Sequence, residues 1–131
     1  MPPRVGLVED YEDLRLLVTQ LVKARFHVEC LTFASVADLK ARESDVLLTE
    51  LMLLDVNLGA GEPTGVDACL WLREKSYAGR IFFFSGHARN NPLLAAAAVA
   101  DVPILEKPVN FKDLLAIIAD TLALERGPHG Q

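Results

Sequence analysis

Val5-Gly-Leu-Val-Glu-Asp10 is a short apolar run that stops at two adjacent acids, and a longer amphipathic segment follows it at once. From Glu12 to about Arg25, the residues Leu14, Leu17, Val18, Leu21 and Val22 recur at helical spacing and make one apolar stripe. The pair reads as a strand, Val5–Val8, feeding a helix. The same alternation then repeats along the chain. His27 to Leu31 reads as a second strand, and Ser35 opens a short helix that ends near Ala41 to Ser44, with Asp38 three positions on as in a capping box. Val46 to Leu54 is almost wholly apolar and reads as a strand buried on both faces, irregular in its first half.

Beyond it, Asn57 to Thr64 holds Gly59, Gly61 and Pro63 and is loop. Gly65 leads a helix to about Ser76, and Ile81-Phe-Phe-Phe84 is a strand by its aromatic content. Pro92 suits the first turn of a helix to about Ala100, and Ile104-Leu-Glu106 is a fifth strand. Asn110 caps a last helix whose stripe is Leu114, Ile117, Ile118 and Leu122. Five strands alternating with five helices predict an α/β domain, a parallel sheet covered on both faces.

The 131 residues suit a single domain, 1–131, with its core over about 4–124 and a frayed tail over 125–131. Apolar residues are 51% and charged residues 24%, an ordinary globular balance. The net charge of −5, from 13 basic and 18 acidic residues with no basic block, argues against direct nucleic-acid binding. The longest uninterrupted apolar run, Leu93 to Ala100, has eight residues, far short of a membrane span. Nothing after Met1-Pro-Pro-Arg4, which reads as a native start, resembles a signal-peptide core. Cys30 and Cys69, 39 apart, make no metal or redox motif and read as buried thiols of a reducing, cytoplasmic compartment.

In an open α/β sheet, ligands bind beyond the carboxyl ends of the strands. The polar residues at those ends are Glu9 and Asp10, Asp55, Ser85 and Lys107. Three carboxylates in one place repel one another, and oxygen donors without histidine or thiolate favour Mg²⁺ over Zn²⁺. A lysine and a hydroxyl beside them match the remaining oxygens of a phosphoryl group. The residues therefore point to a Mg²⁺-dependent phosphoryl site.

Four segments carry a family resemblance: Val5-Gly-Leu-Val-Glu-Asp-Tyr-Glu-Asp-Leu14, Leu53-Leu-Asp-Val-Asn-Leu-Gly59, Phe84-Ser-Gly-His-Ala88 and Leu105-Glu-Lys-Pro108. In order and at separations of 45 (Asp10 to Asp55), 30 (Asp55 to Ser85) and 22 (Ser85 to Lys107), they resemble the receiver domain of two-component response regulators. The resemblance spans about residues 4 to 124. It implies a flavodoxin-like doubly wound sheet of strand order 2-1-3-4-5. It implies Asp55 as phospho-acceptor, Asp10 and Asp55 as Mg²⁺ ligands, Glu9 as their acidic neighbour acting through water, and Asn57 as the donor of a backbone carbonyl to the metal. Ser85 and Lys107 would bond the phosphoryl oxygens, and the Lys107–Pro108 bond would be cis. The implied partners are a histidine kinase or phosphotransfer protein upstream and an unidentified protein downstream, with a phosphorylation-dependent change in protein binding as the output. The implied type is a stand-alone receiver that is not an enzyme in the usual sense but assists its own phosphorylation and dephosphorylation.

Other readings compete at particular residues. Glu50 also ends an apolar stretch, but taking it as acceptor changes the intervals to 40 and 35, away from the family's spacing. An aspartyl-nucleophile hydrolase would want an acid two residues after Asp55, where Asn57 stands. A degenerate receiver that docks without phosphorylation is the alternative favoured by two departures from the family pattern. One is an extra two residues or so in the Gly59–Thr64 loop. The other is Ile104, three before Lys107, where an aromatic switch residue is common. With Ile104 there, signalling is expected to run through the Ser85–Asn91 loop. His87 is expected on the site rim. Trp71 is expected toward the outer face of its helix, either covered by the Gly59–Thr64 loop or free as an interface anchor.

Overall fold

The computed structural model describes residues 4–86, 99–108 and 110–126. The elements in chain order are β1 (Val5–Val8), α1 (Glu12–Phe26), β2 (Cys30–Phe33), α2 (Val36–Ala41), α3 (Glu43–Val46), β3 (Leu51–Asp55), α4 (Gly65–Glu74), β4 (Arg80–Ser85), β5 (Ile104–Glu106) and α5 (Phe111–Arg126). The expected helix from Pro92 to Ala100, with Leu93 and Leu94, falls almost wholly outside the described residues, as do His87, the remainder of the Ser85–Asn91 loop beyond Gly86, and Gly127–Gln131. All strand pairings are parallel, in the order β2-β1-β3-β4-β5. That is the expected flavodoxin-like order.

The alternation of side chains along β3 shows why its sequence is apolar without a break. Leu51 and Leu53 join Val18 and Val22 of α1 and Leu114, Ile118 and Leu122 of α5 in one core. Met52 and Leu54 point the other way, into a second core with Leu39, Cys69, Leu72 and Phe83. A central parallel strand covered by helices on both sides has no solvent face on which to place a polar residue. Polar side chains are therefore displaced to its two ends. Trp71 lies half-buried against the second core.

Several boundaries differ from the sequence reading. The second strand is Cys30–Phe33 rather than His27–Leu31, because His27 is the left-handed residue (φ 57°) that ends α1, its N–H donating to Lys23 O at 3.0 Å. Val28 is buried without being in a strand. The apolar stretch from Val46 is likewise not one strand. Val46 closes the short helix α3, Thr49 Oγ1 donates to Val46 O at 2.7 Å, and β3 starts only at Leu51. Burial of Val46 comes from a helical turn, which a short apolar run does not distinguish from a strand. The helix from Ser35 ends at Ala41, and Ser44 belongs to α3. Ser76, at φ 58°, lies beyond the end of α4. The predicted caps are present: Ser35 Oγ accepts from Asp38 N–H at 3.2 Å, and Asn110 Oδ1 accepts from Lys112 and Asp113 N–H at 3.0 and 3.2 Å.

Two glycines mark the tightest approaches in the sheet layer. A Cβ on Gly65, first residue of α4, would lie 2.3 Å from the carbonyl oxygen and 2.8 Å from the carbonyl carbon of Asp55. A Cβ on Gly6 would meet the Met52 sulfur at 2.3 Å, the end of a flexible side chain. Backbone cannot yield as a thioether can. Gly65→Ala should therefore lower unfolding free energy by about 1–3 kcal/mol, and Gly6→Ala by less, in urea denaturation. The opposite ranking would show that the backbone behind Asp55 gives way freely.

Candidate functional site

Every strand that faces the pocket ends in a polar residue, and the parallel sheet brings these ends together on one edge. Glu9 and Asp10 follow β1, Asp55 closes β3, Ser85 closes β4, and Lys107 follows β5. The register sets Asp55 beside Phe84 and Ser85 beside Glu106. Backbone bonds extend the ladder past the strands: Glu9 N–H to Phe33 O at 2.9 Å, Val56 N–H to Phe84 O at 3.0 Å, Lys107 N–H to Ser85 O at 2.9 Å. The site residues are thus held by the sheet itself. The Lys107–Pro108 peptide bond is cis, as the resemblance implies.

The side chains converge. Glu9 is fully buried, Asp55 and Ser85 are each 4% exposed, and Asp10 is open to solvent. One carboxylate oxygen from each of Glu9, Asp10 and Asp55 lies within 4.8 Å of the others. Lys107 Nζ stands 2.8 Å from Glu9 Oε1 and 3.3 Å from Asp55 Oδ2. The other Glu9 oxygen accepts from Tyr11 N–H at 3.2 Å, and Asn57 N–H donates to Asp55 Oδ1 at 3.4 Å. Asp10, Asn57 and Ser85 line the resulting pocket of about 430 Å³ with Glu9, Asp55 and Lys107. The structure thus brings Glu9, Asp10, Asp55, Asn57, Ser85 and Lys107 together in one pocket. Glu50, the rival acid, lies at the opposite edge of the sheet, before β3, in an ion pair with Arg4.

Three carboxylates face one ammonium, and the proton affinities reflect the imbalance. Burial, then the bond to Glu9 and its charge, push the Asp55 carboxyl up to about 7, against the opposing pull of Lys107. Burial and Glu9 also raise Asp10. Glu9 goes the other way: burial would raise it, but hydrogen bonds, first from Lys107 and then from Asp55 and Asp10, hold it below the usual range. Lys107 is raised, since the Glu9 bond and the two carboxylate charges outweigh its partial burial.

A cation fits this arrangement on chemical grounds. The donors are hard carboxylate oxygens, unaccompanied by histidine or thiolate among the described residues, and one lysine leaves their charge incompletely neutralised. The cluster of Glu9, Asp10 and Asp55 can hold a metal of the Mg²⁺ type. Tyr11, which also lines this pocket, was not singled out by the sequence. Its position directly after the acidic pair was the available signal.

The sequence model of the response regulator receiver domain matches residues 5–119. Among solved structures, the receiver domain of a putative LuxO repressor protein from Vibrio parahaemolyticus is 25% identical, with a TM-score of 0.73 over 93% of this chain and 91% of that one. The chemotaxis protein CheY4 of Vibrio cholerae is 20% identical at a TM-score of 0.76, covering 92% of this chain and 99% of that one. The receiver domain of NtrX from Brucella abortus is 22% identical at 0.73, covering 90% and 97%. No curated protein sequence matches the chain.

The crowding of carboxylates has a measurable consequence. The folded Asp55 binds its proton more tightly than an unfolded aspartate, so its ionisation weakens the fold as pH rises from about 4 towards 7, and the loss is complete above that. In EDTA at pH 8, Asp55→Asn should therefore be more stable than the wild type, by about 1–3 kcal/mol. The difference should shrink at pH 5. Mg²⁺ should raise the melting temperature of the wild type more than that of the variant; equal shifts would mean that Asp55 takes no part in cation binding.

Proposed function

The chain belongs to the family of response regulator receiver domains, and from that premise we propose that Asp55 accepts a phosphoryl group from a histidine kinase or phosphotransfer protein in the cytoplasm. Phosphorylation on aspartate and Mg²⁺ binding are general properties of this family. The observation that carries the reading to Asp55 is the Lys107 ammonium, which bridges Asp55 Oδ2 and Glu9 Oε1 at the carboxyl edge of the sheet.

Each residue then has a definite task. Asp55 supplies the nucleophilic oxygen, and Asn57 N–H, donating to Oδ1, leaves Oδ2 towards Lys107. Lys107 neutralises charge on the incoming phosphoryl oxygens, which requires its ammonium to move from the carboxylates to the phosphoryl group. Glu9, Asp10, Asp55 and the backbone carbonyl of Asn57 would hold Mg²⁺. When bound, the ion supplies Lewis-acid stabilisation of phosphoryl charge. Ser85, buried beside Asp55 at the end of β4, would bond a phosphoryl oxygen and report its arrival to the following loop. Phosphoryl transfer needs positioning and charge neutralisation rather than further covalent chemistry. The same groups would assist hydrolysis of the acyl phosphate, which resets the domain.

The phosphoryl group adds about −1.5 to −2 charges at neutral pH, and it would shift a loop equilibrium already present in the domain. Output through protein contacts, with the receiver as the working unit over residues 1–131, accords with the acidic net charge of −5. Among the described residues, no helix is long and apolar enough to cross a membrane.

Intact-mass measurement after incubation with Mg²⁺ and a small acyl phosphate tests the reading. The wild type should gain one phosphoryl group and Asp55→Asn none, while Lys107→Ala should lose at least tenfold in rate, the scale expected for removing a charged partner of the transferring group. A gain of mass that persists in Asp55→Asn would refute the assignment of the acceptor.

A further inference from the structure

Tyr11 stands where neither helix formation nor packing favours a tyrosine. It is the N-cap of α1, a position suited to serine, threonine, asparagine or aspartate, and its side chain makes no capping hydrogen bond. The residue is 62% exposed and belongs to neither core. A residue that breaks local rules without structural gain is a mark of function. What Tyr11 does have is a fixed place: its own N–H donates to Glu9 Oε2.

From that place Tyr11 borders two cavities at once. One is the acidic pocket that contains Asp55. The other is a groove of about 430 Å³ between α1 and α5, walled by Leu14, Leu17, Pro108 and Phe111, with Asp13 at its edge. Glu9 and Lys107 line both. Tyr11 thus stands at the pocket from which a group leaving phosphorus at Asp55 departs, beside apolar walls and the Asp13 carboxylate.

Resting on the phospho-acceptor reading above, we propose that Tyr11 is a specificity-determining residue that selects a phosphodonor whose phosphoryl group is carried on a cationic heteroaromatic ring, the protonated imidazole of phosphohistidine. Such a ring reacts with its second nitrogen protonated. As an Asp55 oxygen bonds to phosphorus, the nitrogen–phosphorus bond breaks, its electron pair returns to the ring nitrogen, and a neutral imidazole leaves. Until that bond breaks, the ring is a planar cation, which the tyrosine face attracts and the acidic rim favours. A carboxylate leaving group gains nothing from the ring and is repelled by Asp13. Tyr11 thus discriminates between donors by the charge and shape of what carries the phosphoryl group.

Two small donors test this without any partner protein: N-phosphoimidazole and acetyl phosphate, each with Mg²⁺, compared on wild type, Tyr11→Phe and Tyr11→Leu. The readout is the ratio of second-order phosphorylation rates, which cancels any difference in the folded fraction. The ratio in favour of phosphoimidazole should fall roughly 3- to 10-fold in Tyr11→Leu, the size of a cation–π or aromatic contact, and persist in Tyr11→Phe. An unchanged ratio in Tyr11→Leu, or an equal fall in Tyr11→Phe, overturns the role of the ring while leaving Asp55 as acceptor. Failure of the wild type to take a phosphoryl group from either donor overturns both.

Discussion

The Lys107 ammonium, set between Glu9 and Asp55, is the interaction on which the site depends. Glu9 is fully buried and Asp55 nearly so, and neither carboxylate has solvent to disperse its charge. A buried charge without a partner is among the most destabilising features a fold can contain. Lys107 supplies that partner from a residue 98 positions away in sequence from Glu9. It partners two acids at once, though, and Asp10 adds a third. The ionised cluster therefore remains short of positive charge, and the fold holds open a place for more.

That shortage gives the site its chemistry. A domain selected only for stability would fill the carboxyl edge with neutral capping residues. Here the sheet gathers acids whose burial, and then the proximity of Glu9, raise the proton affinity of Asp55 and Asp10. On the proposed function, a divalent cation would relieve this crowding, and a phosphoryl group would bring new negative charge to the same spot. The balance is held at Lys107, whose own N–H is tied to Ser85 O on β4. One departure from the family pattern lies on β5: Ile104 stands 40% exposed, with no ring to turn towards Ser85.

The architecture supports the site through close approach rather than through additional polar bonds. α4 begins with its glycine against the Asp55 carbonyl, held at its start by the reciprocal bonds of Thr64 and Asp67. The extended loop between Val56 and Thr64 leaves and returns to this same point, Gly65 N–H donating to Val56 O at 3.0 Å. Within that loop, glycines at 59 and 61 take positive φ.

The sequence by itself determined which segments are strands and helices in the main, a parallel sheet covered on both faces, and the acids, hydroxyl and lysine at the strand ends, while its strand order came from the family resemblance. These features have short-range signatures: the apolar run of β3, the stripe of α1, the caps at Ser35 and Asn110, and polar residues closing apolar runs. The readings that failed were those for which local composition is ambiguous. Val46 is equally apolar in a strand or in the helical turn it adopts, and the position of β2 depended on His27 taking a left-handed turn. Tertiary structure alone decided that Glu50, chemically as plausible as Asp55, sits at the far edge of the sheet paired with Arg4. It alone decided that Lys107 reaches Glu9 as well as Asp55, and that Tyr11 divides an acidic pocket from an apolar groove. The physical reason is that charge neutralisation and cavity shape depend on distances between strands remote in sequence, and only strand order and register set those distances.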